Sequence, residues 1–69
     1  MRLTKVEEAF VTILLDIGLE QEEIAVLLTM LDTVERMTKM VDYIEEIIEE
    51  NETPKFNQLL EKAAQIISE

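Results

Sequence analysis

The sequence predicts an all-α fold: a compact bundle of four short helices, or three if the second and third run together. Three observations carry this. Leu, Ile, Glu and Met dominate a chain broken by only one Gly and one Pro, and most of these residues lose little freedom in a helix. Apolar side chains recur at spacings of three and four, the period of a helical face. Residues that start or stop helices stand between those runs. At 69 residues the chain predicts a single helical domain over 1–69.

The first helix starts at Thr4. Thr4 and Glu7 have capping-box spacing, in which hydroxyl and carboxylate each accept from an orphaned backbone N–H. Val6, Ala9, Phe10, Ile13, Leu14 and Ile17 follow one face. Gly18 stops the helix, because glycine takes a left-handed conformation at least cost. The second helix spans Glu20 to Leu31, with Glu20, Glu22 and Glu23 at the positive end of its dipole. Ile24, Leu27, Leu28 and Leu31 form its apolar stripe.

Asp32, with Glu35 three residues on, predicts an N-cap and a third helix from Thr33 to Glu50. Here Val34, Met37, Val41, Ile44 and Ile48 make a heptad seam, widened by Met40 and Ile47. Glu35, Asp42, Glu45, Glu46 and Glu49 lie opposite. Asn51-Glu52-Thr53-Pro54 predicts a loop, with Thr53 as N-cap and Pro54 at the first helical position. The fourth helix then runs to about Ile67, with Phe56, Leu59, Leu60, Ala63, Ile66 and Ile67 on one face.

The side-chain inventory narrows the chemistry. Cysteine and histidine are both absent, which removes the usual thiol nucleophile, the disulfide staple and the imidazole proton shuttle. Ser68 is the only serine and lies next to the last residue given; Tyr43 is the only tyrosine, at a polar border. Carboxylates alone do acid–base work only when one pKa is raised beside another kept low, and these glutamates fall on faces predicted to be exposed. The sequence therefore predicts no enzyme, no cofactor and no small-molecule substrate.

A metal site is not expected either. Glu45, Glu46, Glu49 and Glu50 offer oxygens at helical spacing, but a di-iron bundle site wants a Glu-x-x-His motif. A calcium loop begun at Asp16 would place Leu27 where a glutamate is required. Signal-peptide and membrane-span patterns are also lacking, so the expected setting is cytoplasmic, with no membrane partner.

Charge is lopsided, at 16 acidic against 6 basic side chains and a net −10. Such a balance repels phosphate backbones and anionic surfaces, so no nucleic-acid partner is expected. The run Gly18-Leu19-Glu20-Gln21-Glu22-Glu23-Ile24-Ala25-Val26-Leu27-Leu28 nevertheless resembles the first helix of helix-turn-helix transcription regulators. That resemblance implies a recognition helix beginning near Thr33-Val34-Glu35-Arg36. The chain departs from the family at the turn, where Thr29, Met30 and Leu31 replace the commonly used Gly. The next helix is also acidic where a DNA reader needs the opposite sign; what the resemblance then implies is a degenerate helix-turn-helix scaffold kept for protein contacts. Ile17-Gly18-Leu19, with the helix and Val34-Glu35-Arg36 run that follow, is similar to the Met-Gly-Phe loop region of ubiquitin-associated domains, though the register slips by one residue before Val34.

The apolar surplus on the first two helices is more specific. Val11 and Leu15 lie far around the wheel from the first helix's stripe, and Val26 and Met30 from the second's. A helix apolar on most sides is buried on most sides. These four residues are therefore the candidate interface of a small acidic protein–protein interaction module, covered by a second copy in a homodimer or by another protein. The alternative is that the first helix is the centre of the bundle, wrapped by the others. Met30, Met37 and Met40 add flexible thioethers that suit adaptable grooves. A second function class is an acidic inhibitor or nucleic-acid mimic, whose face of Asp42, Glu45, Glu46 and Glu49 would occupy a basic groove on a protein.

Overall fold

The computed structural model describes residues 5–69, in which four helices follow one another: α1 (Lys5–Asp16), α2 (Gln21–Met30), α3 (Val34–Glu49) and α4 (Phe56–Ser68). No strand occurs among the described residues. The expected capping residue Thr4 lies outside them.

Each helix end has a local cause. Gly18 takes φ +94°, its N–H donates to the Leu15 carbonyl at 3.0 Å, and the Leu19 N–H reaches back to Leu14 at 3.1 Å. These two bonds are the Schellman pair that satisfies orphan carbonyls, and Leu19 and Leu14 both join the apolar core. At the start of α2 the Glu20 N–H donates to Glu23 Oε1 at 2.9 Å.

Helices two and three are separate. The break falls where the sequence places it, but Thr33 and not Asp32 is the cap: Thr33 Oγ1 accepts from the Arg36 N–H at 3.2 Å. Asp32 instead accepts from Arg36 Nη1 at 2.7 Å. Asn51 ends α3 with φ 62°; its N–H donates to Ile48 at 2.9 Å, and the Glu52 N–H to Ile47 at 3.2 Å. This is a second Schellman pair, with Asn in the place glycine takes after α1.

The start of α4 corrects the sequence reading by two residues. Lys55 is the N-cap, and its N–H donates to Gln58 Oε1 at 2.9 Å. Pro54 precedes the cap and is buried, as is Leu59 four positions into the helix region. Those are the two positions of a hydrophobic staple. Here the proline ring serves packing.

The helices form a ring. Their packed pairs are α1 with α3, α3 with α4, α4 with α2 and, over a shorter stretch, α2 with α1. Neither α1 and α4 nor α2 and α3 pack on each other. The centre is filled by Phe10, Leu14, Ile24, Leu27, Leu31, Met37, Met40, Ile44, Leu59, Ala63 and Ile66, and no polar or charged residue among those described is buried. The Cα radius of gyration is 11.1 Å, against about 11 Å expected for a compact chain of this length.

Three buried lines differ from the sequence reading. In α3 the buried line is Met37, Met40, Ile44 and Ile47, while Val34 and Ile48, ends of the expected seam, are exposed. A single partner helix would select the heptad seam, whereas two neighbours centre the buried face between them. Ala9 of α1 is exposed because that helix turns Phe10 and Leu14 inward. Ile67 is exposed in the last turn of α4.

Candidate interaction surface

The four candidate interface residues divide into two pairs. Val11 and Met30 are half-buried and pack against the core. Leu15 and Val26 remain 53% and 44% exposed. The cause is rotational: on the wheel of α1 Val11 lies roughly 80° from the centre of the Phe10–Leu14 line, at its edge, whereas Leu15 lies roughly 120° away. Because α1 touches α3 and α2 but not α4, it is a corner of the ring and not the centre about which the others wrap. Leu15 is therefore left about half exposed by the described chain.

On α3, Asp42, Glu45, Glu46 and Glu49 are all exposed, and no ion pair involves any of them among the described residues. They are spread along the helix. No group of three or more acidic side chains among the described residues is placed to hold a metal ion.

Cations gather on the opposite flank, along the seam between α3 and α4. Arg36 pairs with Asp32 at 2.7 Å. Lys39 Nζ lies 2.7 Å from Glu69 Oε2 and 3.9 Å from Glu35. Lys62 Nζ sits 5.3 Å from the centroid of the half-buried Tyr43 ring. The hydrogen bond to Glu69, followed by the charges of Glu69 and Glu35, raises the Lys39 pKa above its ordinary value. The same bond and the Lys39 charge lower that of Glu69. A shallow cleft of about 260 Å³ lies beside this seam, lined by Thr33, Glu35, Arg36, Lys39, Ile66 and Glu69. Its polar groups already satisfy one another.

The sequence reading missed a second apolar line. Val34 and Ile48 are 50% and 48% exposed, and Val41 midway between them is half-buried. The signal was present in the sequence as two competing lines, 34-41-48 and 37-40-44-47, which spacing alone does not separate. Among the described residues no helix is long and apolar enough to cross a membrane.

Comparison with known proteins brings no matching family model, no similar curated protein and no similar solved structure. The two resemblances read from the sequence therefore stand on short runs of residues. In a helix-turn-helix unit the first helix packs on the second, the recognition helix, whereas α2 and α3 here are not neighbours.

Proposed function

We propose that this chain is a small acidic protein–protein interaction module of the cytoplasm, without catalytic chemistry, that self-associates as a homodimer through α1 and α2. The observation that carries the reading is the exposure of Leu15 and Val26, large apolar side chains on the two helices whose polar faces are narrowest. Small chains commonly complete a limited core by association. The absence of histidine and cysteine supports a binding role over a catalytic one.

Sedimentation equilibrium from micromolar to millimolar protein tests this. A mass that climbs to twice the monomer supports the reading, provided a Leu15→Lys/Val26→Lys variant stays monomeric with an unchanged helical spectrum. A monomer at every concentration overturns it.

The second reading, an acidic inhibitor or nucleic-acid mimic, is favoured by one observation: the four α3 carboxylates Asp42, Glu45, Glu46 and Glu49 are exposed and free of ion pairs. Binding to a basic groove would weaken steeply with salt, while apolar self-association would barely respond.

A further inference from the structure

We propose that the outer edge of α3 docks a basic amphipathic helix of another protein. The inference deepens the carboxylate-face reading and rests on it, adding the apolar line that runs beside the acids. Val34, Val41 and Ile48 recur every seven residues, so they form a nearly straight line along the helix, about 21 Å from first to last at the helical rise. Seven-residue recurrence is the spacing at which one helix seats side chains of another.

The line belongs to an open flank. Packing of α3 is confined to α1 and α4, and Lys39 and Tyr43 mark the α4 side through Glu69 and Lys62. Val34, Val41 and Ile48 fall on the other flank of the wheel; Val41, midway, packs partly against the core, while Val34 and Ile48 at the ends stay half exposed. Next around the helix, on the solvent side, come Glu45, Glu49 and Asp42, all exposed. One edge thus joins an apolar row to a row of carboxylates.

Charge selects the occupant. A second copy of this chain brings six basic side chains in all, of which Arg36, Lys39 and Lys62 are already held by Asp32, Glu69 and Tyr43. Lys5 and Lys55 stand on α1 and ahead of α4. Placing two α3 edges together would set carboxylate against carboxylate. A helix with an apolar seam flanked by Lys and Arg has the complementary pattern, and offset rows of apolar and charged residues fix its orientation.

The test uses three synthetic peptides and amide chemical shifts of the isotope-labelled full chain. The first carries Leu at heptad positions flanked by Lys and Arg; the second keeps the basic residues but replaces Leu by Ser; the third keeps Leu but carries Glu flanks. Saturable binding of the first alone, with shifts along α3 from Val34 to Ile48, is the expected result. Val34→Ser/Ile48→Ser should then weaken binding at least tenfold, because both half-exposed side chains lose the apolar surface that the docked helix would cover. Glu45→Gln/Glu49→Gln should weaken it several-fold. Equal binding of the Ser peptide overturns helix docking while leaving the carboxylate-face reading intact. Binding of neither basic peptide overturns both. Shifts centred on α1 and α2, or equal binding of the Glu-flanked peptide, also overturn the proposal.

Discussion

The two halves of the molecule solve the same packing problem with different sequence economy. In α3 and α4, charged residues stand opposite a well-marked buried line, and most exposed positions are polar. In α2, by contrast, Ala25 and Val26 are exposed apolar residues, and Thr29 is the only polar residue after Glu23. Ring packing covers two flanks of each helix and no more. The polar faces of α3 and α4 are wide, yet Val34, Ile48 and Ile67 stay exposed there just as Leu15 and Val26 do on α1 and α2. The difference teaches that apolar content alone does not report burial; position relative to two neighbours does.

Adjacent residues offer the sharpest way to break that comparison. Leu14→Ala should cost about 3–5 kcal/mol, because Leu14 is fully buried and leaves a cavity. Leu15→Ala, one residue on, should change monomer stability by less than about 0.5 kcal/mol. Urea denaturation of both at low protein concentration checks this. A large loss from Leu15→Ala in a monomer would mean that α1 is oriented differently. In α3 the pair Ile44→Ala and Ile48→Ala should divide the same way, since only Ile44 lies in the buried line.

Smaller effects probe the helix ends. Gly18→Ala should cost about 1–2 kcal/mol, the penalty of a left-handed non-glycine residue; no atom lies within 4 Å of the added Cβ, so the whole cost is backbone strain. Asn51→Gly should run the other way and stabilise by a few tenths, about 0.5 kcal/mol. Thermal melts of the two single variants give the signs. Thr33→Ala should cost about 1 kcal/mol through the lost cap. Asp32→Ala should cost less, because its pair with Arg36 is exposed.

The smallest expected effect is titration of the contact between α3 and α4. Glu69 is held below its ordinary 4.5 chiefly by the hydrogen bond from Lys39, so its contribution is present above that pH and fades as acid protonates it. Lys39 is held above its ordinary 10.5, so its contribution is full below that value and fades as pH rises through the raised pKa. Carbon chemical shifts of Ile66 and Ile67 should therefore report the most helical last turn between these bounds. Glu69→Gln should flatten both limbs and barely move the global melt, as expected for a solvent-screened pair.

Much of this fold was legible in the sequence. Gly18, the break after Leu31 and the loop at 51–54 all speak through local backbone chemistry, which needs no knowledge of neighbours. The N-caps were displaced, by one residue at Thr33 and by two at Lys55, because several residues at each site qualify chemically and only tertiary packing chooses. Pro54 illustrates this: a first-turn proline is locally favourable, yet Pro54 lies one residue ahead of the Lys55 cap with its ring buried. The α3 line was ambiguous for a similar reason, since its choice depends on the number of neighbours. The candidate surface was half legible. Leu15 and Val26 are exposed, while Val11 and Met30 are drawn to the edge of the core by the rotation of their helices.

The ring order also bears on how the chain folds. Apart from the α3–α4 pair, the most extensive packing joins α1 to α3 and α2 to α4, so the first half of the chain finds its main partners in the second. Only α3 with α4 can form a substantial local hairpin, and it is the natural nucleus on which α1 and α2 condense. Severed in the link at 31–33, the chain would yield one fragment able to hold helical structure and another that gains it on being mixed with the first. Recovery of the helical spectrum from two separate peptides would make that dependence visible.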